Sequence, residues 1–397
     1  MNKFFRIALP LLLSLPAAGA AGVDTVSIPS QDPKLKLTGY WFPVATAEPL
    51  PAVISLHGCG GLLDDKGRLG AGYFRDADYF NVEHIHFLAL DSFTPRGLKS
   101  ICEIQAQSRT IRDEDRRTDV FAAIQWLARQ PGVDKQRIAI LGRSHGGQTV
   151  LSTLDRTDKD VQAQPLQPKA AIALYPGCNK FERMWNYEIS APLLMMIGAL
   201  DDWTPAINCE NLHRKILRQQ DASIDFVVFP ESYHGFDGVG PVTVRKNVGA
   251  TRNGNATVGG NPVAREQAHR RIFDFLSTQF GTPLRLTHEQ RFRGHRYEVP
   301  PPSGFAQAQQ INAVPLGENG RARYKQYLEM RAPKAFAITE KRGWYSRADD
   351  PHAMRDVMEL CREAGVKCWL YAVDDRVVWN KNAAARIDAT NLKPVSP

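Results

Sequence analysis

The chain has 397 residues, six cysteines and a formal net charge of +8. A chain of this length can bury an ample core, so its folding does not depend on disulfides or metals. The positive charges are scattered along the sequence rather than clustered, which argues against a nucleic-acid-binding protein and suits an anionic cell envelope.

Residues 1–20 have the layout of a secretory signal peptide. Lys3 and Arg6 form a positive segment, residues 7–15 form a short apolar stretch, and an Ala-Gly-Ala cleavage site ends at residue 20. The apolar stretch is much shorter than the roughly 20 residues that span a bilayer, so a membrane anchor is disfavoured. We therefore expect a periplasmic or secreted protein with no membrane span after removal of its signal.

Short apolar runs alternate with amphipathic stretches between residues 24 and 280. Several runs are apolar on both faces, which is typical of a parallel sheet covered by helices on each side. The pattern predicts an open, mostly parallel α/β sheet with helices on both faces and an antiparallel meander over residues 24–42. The predicted strands lie at 35–41, 52–56, 86–90, 137–141, 170–175, 193–197 and 224–229, and helices are predicted at 110–129, 205–219 and 264–280.

The composition changes after the last of these helices. We predict a catalytic domain over residues 21–282, a Pro-, Gln- and Arg-rich linker over 283–320, a small α/β module over 321–380 and a tail over 381–397. At about sixty residues the module has a marginal core, for which a disulfide is useful. Residues 238–261, rich in Gly, Asn and Thr, are predicted to form a long surface loop.

An even number of cysteines in an exported chain predicts disulfides. Six cysteines allow many pairings, so the assignment depends on which loops the fold brings together. Loop placement favours Cys59–Cys102 and Cys178–Cys209 at the carboxyl edge of the sheet, and Cys361–Cys368 inside the module. We expect no metal site, because the sequence has no C-x-x-C pair and no H-E-x-x-H helix.

Residues 142–146 (GRSHG) have the G-x-S-x-G pattern of a nucleophile elbow. The pattern alone is weak, but here it follows an apolar strand directly and precedes a predicted helix at 148–154. Glycines are needed on both sides of the serine, because side chains there would clash with the neighbouring strand and helix. The sequence therefore predicts Ser144 as the nucleophile of a hydrolase.

A serine nucleophile needs a base, and the base needs a carboxylate that fixes its tautomer. In α/β hydrolases these groups follow in the order Ser, acid, His. One strand runs directly into Asp201 and Asp202, and the loop after the next strand carries His234. All these groups fall at the carboxyl edge of the sheet, where open α/β sheets place their sites.

Residues 57–61 (HGCGG) follow a predicted strand and provide glycines that let backbone approach an oxyanion. We predict that the backbone N–H groups of Cys59 and His145 stabilise the oxyanion. Cys59 is a poor candidate for the nucleophile, since no base is placed to activate it.

Six motifs follow one another along the chain: HGCGG at 57–61, DSFTPRG at 91–97, RIAILGRSHGG at 137–147, YPGC at 175–178, GALDDWTP at 198–205 and SYHGFD at 232–237. Together they resemble the dienelactone-hydrolase-like branch of the α/β hydrolases, over residues 24–280. Dienelactone hydrolase itself uses a cysteine nucleophile whereas this chain has Ser144, so a general ester hydrolase is the activity implied. The family spacing G-x-x-D selects Asp201 as the acid and leaves Asp202 to cap the helix that follows. The C-terminal module is similar to small accessory domains of exported bacterial proteins, which implies no activity.

The sequence thus predicts a serine hydrolase that cleaves carboxylic esters through an acyl-enzyme, with no cofactor. One alternative is a peptidase or amidase with the same triad, and another is a non-catalytic envelope-binding protein on a hydrolase fold. Arg96, Arg143 and Trp203 are candidate pocket residues for a small-molecule ester or peptide substrate. The sequence leaves the oligomeric state open.

Overall fold

A computed structural model describes residues 23–395, so the predicted signal peptide lies outside the described residues. Eight strands form one large sheet at the centre of the fold. They are β1 (Asp24–Pro29), β2 (Lys36–Phe42), β3 (Leu50–Leu56), β4 (His86–Asp91), β5 (Val133–Arg143), β6 (Ala170–Leu174), β7 (Leu193–Gly198) and β8 (Ile224–Phe229).

The strands lie in the order β1-β2-β4-β3-β5-β6-β7-β8. From β4 to β8 all neighbours are parallel, whereas β2 pairs antiparallel with both β1 and β4. Every residue of β4, β6 and β7 is buried, as expected for strands that are covered on both faces. The predicted mostly parallel sheet with an antiparallel edge is therefore confirmed.

Helices connect the strands of this sheet. No helix of residues 23–395 is long and apolar enough to cross a membrane. The helices of the catalytic domain are α1 (Ala71–Asn81), α2 (Asp113–Leu127), α3 (His145–Leu154), α4 (Lys159–Gln162), α5 (Asn179–Arg183), α6 (Ala206–Gln219) and α7 (Pro262–Phe280).

Two adjacent side chains of β4 show that helices cover both faces of the sheet. The Phe87 ring stacks on Phe80 of α1 at 5.4 Å, and α7 also contacts the Phe80 ring. The neighbouring His86 lies against Trp41, whose indole meets Trp126 of α2 edge-on. Successive side chains of a strand point to opposite faces, so α1 and α7 cover one face and α2 covers the other.

Residues 238–261 contain a two-stranded hairpin where the composition predicted an irregular loop. Its strands are β9 (Thr243–Lys246) and β10 (Asn255–Val258), which pair antiparallel. Arg245 of β9 pairs with Glu103 at 2.6 Å, and the backbone N–H of Gly249 donates to the carbonyl of Cys102. The hairpin is therefore attached to the segment that follows β4.

Residues 283–320 are packed on the catalytic domain, unlike the linker that their composition predicts. They contain α8 (His288–Arg293), in which Arg291 is 1 % exposed. Its guanidinium lies 2.6 Å from the buried carboxylate of Glu83, which also accepts the backbone N–H groups of Arg285 and Leu286. Local composition could not reveal this packing, because Glu83 is 208 positions away from Arg291.

The C-terminal module consists of α9 (Glu318–Leu328), β11 (Ala335–Thr339), β12 (Trp344–Arg347), α10 (Ala353–Glu363), β13 (Cys368–Val373) and β14 (Arg376–Val377). Its four strands form a second, antiparallel sheet in the order β12-β11-β13-β14. Helix α10 packs on β11, β12 and β13 of this sheet.

The predicted tail over 381–397 belongs to the module as far as residue 395. Pro394 forms a bridge with Tyr297, and the carbonyl of Lys393 accepts the backbone N–H of Glu298 at 2.8 Å. Apolar side chains of the tail also pack against the core of the module. The chain therefore closes back on the segment that enters the module.

Three disulfides join the cysteines, and no cysteine of the described residues is free. One joins the loop after β3 to the segment after β4, one joins the loop after β6 to α6, and one lies inside the module. Two of the three thus brace the edge of the large sheet where the strands end. The pairs are Cys59–Cys102, Cys178–Cys209 and Cys361–Cys368, as loop placement predicted.

Candidate active site

Ser144 lies in a sharp turn between β5 and α3. Its φ of 56° and ψ of −117° fall outside the regions that non-glycine residues usually adopt. A Cβ at Gly142 would lie 2.1 Å from the carbonyl oxygen of Gly146, and a Cβ at Gly146 would lie 2.2 Å from that of Leu56. Only glycine fits at these two positions, and the strained turn between them presents the serine at the carboxyl edge of the sheet.

Side chains from three loops meet at this edge. Nε2 of His234 lies 2.8 Å from Oγ of Ser144, and Nδ1 of His234 lies 2.8 Å from Oδ2 of Asp201. An imidazole whose Nδ1–H donates to a carboxylate can accept a hydroxyl proton at Nε2. Asp201 and His234 are buried, whereas Ser144 is half-buried and accessible to a ligand.

Local backbone holds Asp201 in place. Its Oδ1 accepts the N–H groups of Trp203 at 2.9 Å and Thr204 at 2.8 Å. The hydroxyl of Thr204 lies 3.0 Å from Oδ2, the oxygen that also contacts His234. These hydrogen bonds fix the direction of the carboxylate, so it can orient the histidine that it contacts. The sequence did not predict the contribution of Thr204.

Asp202 faces away from the histidine. Its Oδ1 accepts the backbone N–H of Thr257 at 2.7 Å, and its Oδ2 accepts the Thr257 hydroxyl at 2.8 Å. Helix α6 begins after Pro205 without a side-chain cap, so the expected capping role of Asp202 is wrong. Asp202 instead attaches the hairpin strand β10 beside the site.

Two aromatic rings enclose the His234 imidazole. The rings of Tyr175 and Trp203 each lie 4.7 Å from it, measured between centroids. The backbone of His234 also forms a bridge with Val258, and its carbonyl accepts the N–H of Gly259 at 3.1 Å. Contacts to both the ring and the main chain of His234 therefore hold its imidazole in one orientation toward Ser144.

The loop after β3 brings its backbone next to the serine. A Cβ at Gly58 would lie 3.4 Å from the Cβ of Ser144, so the glycine permits this approach. Cys59, the next residue, is anchored by its disulfide to Cys102. The two N–H groups expected to stabilise an oxyanion, those of Cys59 and His145, thus belong to segments that adjoin Ser144.

A buried arginine that the sequence did not predict joins these two segments. Arg116 of α2 is 1 % exposed, and it donates to the carbonyl of His57 at 2.7 Å and to Nδ1 of His145 at 2.8 Å. Burial lowers the pKa of Arg116 to about 10, so the guanidinium is still charged at neutral pH. The only sequence signal for this role is a basic residue among the buried positions of α2.

The two histidines beside Arg116 are neutral. Burial, and then the charge of Arg116, lower the pKa values of His57 and His145 well below the usual value. His57 donates from Nδ1 to the carbonyl of Gly58 at 2.8 Å and accepts the N–H of Ser92 at Nε2. Both imidazoles thus hold the loop together as neutral hydrogen-bonding groups.

The three predicted pocket residues have different surroundings. Arg96 forms two hydrogen bonds of 2.8 Å with Asp119 of α2, so its guanidinium is held by the fold. Arg143 lines a cavity of about 350 Å³, and Trp203 packs against His234. The sequence could not separate these roles, because the partner of Arg96 is 23 residues away.

Comparison with known proteins gives one family. The model of the dienelactone hydrolase family matches residues 73–280. No curated protein matches the chain. A crystal structure of a proposed dienelactone hydrolase from Klebsiella pneumoniae subsp. pneumoniae MGH 78578 is 20% identical, covers 65% of this chain and 99% of its own, and has a TM-score of 0.49. Thermogutta terrifontis esterase 2 phosphoramylated by tabun is 17% identical, with 68% and 98% covered and a TM-score of 0.49.

Proposed function

The chain belongs to the dienelactone hydrolase family, and from that premise we propose that it is an exported serine hydrolase that cleaves carboxylic esters. Ser144 is the nucleophile, His234 the general base and Asp201 the carboxylate that orients the base. The observation that carries the proposal is the pair of 2.8 Å contacts that join Ser144, His234 and Asp201.

The reaction is an acyl transfer in two halves. Nε2 of His234 takes the proton of Ser144 as Oγ attacks the ester carbonyl carbon, and the carbonyl oxygen becomes an oxyanion. The N–H groups of Cys59 and His145 stabilise that oxygen. His234 then gives its proton to the leaving alcohol, and a water molecule repeats the sequence to release the acid. The Asp201 carboxylate stabilises the imidazolium each time it forms.

Arg116 adds a buried positive charge on the oxyanion side of this site. Its two hydrogen bonds connect the segments that carry the oxyanion donors. A charge in a water-excluded site acts more strongly on developing negative charge than the same charge in water. We therefore include Arg116 in the proposal as a positioning residue that acts through the backbone of His57 and the ring of His145.

Two observations support export. Residues 1–20 have the charge, apolar and cleavage segments of a signal peptide. The three disulfides are of a kind that forms and persists in oxidising compartments such as the periplasm. Purification from the periplasmic fraction, followed by N-terminal sequencing, is expected to give a mature chain that begins at Ala21.

The test of the proposal is labelling of the purified protein with a fluorophosphonate probe, followed by peptide mapping. We expect the label on Ser144, its loss in Ser144→Ala, and its retention in Ser346→Ala, a control change of the same kind on β12. Ser144→Ala should also reduce kcat on short-chain esters by roughly 10⁴-fold or more.

Two outcomes would replace the proposal by one of its alternatives. Cleavage of proline-containing peptides without cleavage of short-chain esters would make the protein a peptidase with the same triad. A correctly folded protein that neither labels nor turns over either substrate would be a binding protein on a hydrolase fold.

A further inference from the structure

A cavity of about 350 Å³ lies between the catalytic domain and the C-terminal module. Helix α1, helix α7 and the loop after His234 form its walls, and Asp349 and Asp350 of the module complete them. The volume is within the range of small-molecule sites, which begins at about 300 Å³. The module is therefore part of the wall of a possible ligand site rather than a separate appendage.

This cavity adjoins the catalytic residues. Arg143, which lines it, directly precedes Ser144 in the chain, and Gly235, which also lines it, directly follows His234. Tyr175 also lines the cavity, and its ring centroid lies 4.7 Å from that of His234. The cavity wall thus includes residues that adjoin Ser144 and His234.

Three polar side chains of the cavity wall are candidate hydrogen-bonding groups. His269 is 8 % exposed, and its buried Nδ1 has no hydrogen-bond partner among the described residues. Tyr73 and Tyr79 line the same wall. Burial lowers the pKa of His269 to about 3 and raises the pKa values of both tyrosines, so all three groups are neutral. They offer hydrogen bonds to a ligand without offering charge.

The charged residues of the wall are already paired with one another. A charged ligand would have to displace one of these ion pairs and would leave a buried charge uncompensated. A hydroxyl can join them instead, because it both donates to carboxylates and accepts from guanidinium groups. The pairs are Arg75 with Asp350, Arg143 with Asp76 and Asp237, and Arg265 with Asp349.

We propose that this cavity binds the uncharged, polyhydroxylated part of the substrate, so that the enzyme removes acyl groups from acylated sugars. The inference rests on the proposed ester hydrolysis at Ser144 and adds the chemical class of the alcohol part of the ester. Tyr79 and His269 hydrogen-bond sugar hydroxyls. The module contributes to specificity through Asp349 and Asp350.

The first test measures binding without turnover. Methyl glucoside is added to the Ser144→Ala protein, and the melting temperature is compared with that in cyclohexylmethanol. We expect the sugar, and not cyclohexylmethanol, to raise the melting temperature in a saturable way. Adding Tyr79→Phe or His269→Gln to the Ser144→Ala protein should weaken the apparent affinity for the sugar about five-fold. Tyr345→Phe, the same change as Tyr79→Phe but on β12, should leave the binding as it is. Stabilisation by neither compound would mean that the cavity holds water alone and would overturn the proposal.

The second test measures selectivity in the active enzyme. We expect a higher kcat/KM for 6-O-acetylglucose than for cyclohexylmethyl acetate. The difference should come from a lower KM for the sugar ester, because the cavity binds its alcohol part. Tyr79→Phe should reduce the ratio of the two kcat/KM values about five-fold. An unchanged ratio, or no preference in the parent enzyme, contradicts the sugar site while leaving the ester hydrolase in place. Sugar binding by a protein that cleaves no ester and takes no label at Ser144 would contradict the hydrolase and leave the binding site.

Discussion

The catalytic edge of the large sheet and the seam between the catalytic domain and residues 283–395 are built from different interactions. At the edge, the positioning contacts come from backbone groups, close-packed glycines and two disulfides, and the histidines beside Arg116 are neutral. The seam contains many ion pairs between side chains that are distant in the sequence, beside the buried ring of Phe292, which packs against Tyr79 and His269. Its pairs are Glu83 with Arg291, Asp78 with Arg296 and His352, Arg75 with Asp350 and Asp356, Arg265 with Asp349, and Glu266 with Arg293 and Arg331.

Because of this difference, substitutions in the two regions should have different effects. A group held by backbone contacts keeps its position when a neighbouring side chain changes, so substitutions at the edge should affect chemistry more than folding. A buried ion pair depends on both partners, since removal of one leaves an uncompensated charge. Substitutions at the seam should therefore affect folding more than chemistry.

The largest effect should come from Asp201, the acid of the proposed triad. Asp201→Asn keeps the shape of the side chain but favours the wrong tautomer of His234, so kcat should fall by about 10⁴-fold. Asp202→Asn is the matched control: it weakens only the attachment of β10, and it should change kcat by less than about three-fold and stability by about 1 kcal/mol. Ester kinetics on both variants check this, and the reverse order of effects would assign the acid to Asp202.

The next effect concerns the folding of the seam. Arg291→Met leaves the carboxylate of Glu83 buried without its cation and should reduce the free energy of unfolding by about 3–5 kcal/mol. Arg331→Met, which removes a half-exposed partner of Glu266, should cost less than about 1 kcal/mol. Urea unfolding measures both. Equal losses of unfolding free energy in the two variants would mean that burial does not distinguish the two pairs. The double variant Glu83→Leu with Arg291→Met should recover part of the stability that Arg291→Met loses, because it leaves no unpaired buried charge.

At the catalytic edge, Arg116 holds its neighbours through a charged side chain and not through backbone groups, so its substitution is a separate test. Arg116→Met removes the hydrogen bonds to His57 and His145, and we expect kcat to fall about 100-fold with KM nearly unchanged, as for the loss of an oxyanion donor. Arg116→Lys keeps the charge and should recover part of the rate. A rise in KM with normal kcat would place Arg116 in substrate binding instead of in support of the oxyanion loop.

The smallest effect is a dependence on pH at the seam. His352 is 1 % exposed and lies 3.1 Å from Asp78 and 3.3 Å from Asp350. Burial lowers its pKa, but the two carboxylates outweigh burial and raise the pKa above the ordinary 6.5. The protonated ring therefore stabilises the folded state fully below the unfolded pKa, and this stabilisation is lost as the pH rises through the folded pKa.

Each unit by which the folded pKa exceeds the unfolded one is worth about 1.4 kcal/mol. Asp78→Asn should therefore reduce stability more at about pH 5.5 than at about pH 9, where His352 is neutral in both states. Arg296 also pairs with Asp78 at any of these pH values, so part of the loss should remain at high pH. A loss that is the same at both pH values would show that His352 carries no charge in the folded protein.

The residues of the edge could be located in the sequence because each of its elements is local. The glycines around Ser144, the acid after β7 and the histidine after β8 all stand at the end of an apolar strand, so strand prediction alone brings them together. Thr204 was missed because it matches no motif, although it contacts Asp201 from only three positions away, and Arg116 was missed because its partners are set by tertiary packing. Thr204 is a common loop residue, and Arg116 reaches the oxyanion loop from a helix 59 positions away in the chain.

The seam could not be predicted for the same physical reason. Arg291 and Glu83 are 208 positions apart, and neither lies in a pattern that a strand or helix requires. The richness of residues 283–320 in proline and arginine therefore suggested a linker, although the arginines there are buried partners of acidic residues on the catalytic domain. Hydrophobic periodicity reports which face of an element is buried, but it does not report which charges meet.

The crowded glycines of the serine turn also bear on how this enzyme can change. Gly142 and Gly146 tolerate no side chain, which leaves positions 143 and 145 as the neighbours of Ser144 that carry side chains. These two side chains lie in separate places, Arg143 at the cavity beside the module and His145 at Arg116. Evolution or directed mutagenesis therefore has two separate positions next to Ser144, and under the proposals above one would act on the choice of alcohol and the other on the rate of acyl transfer.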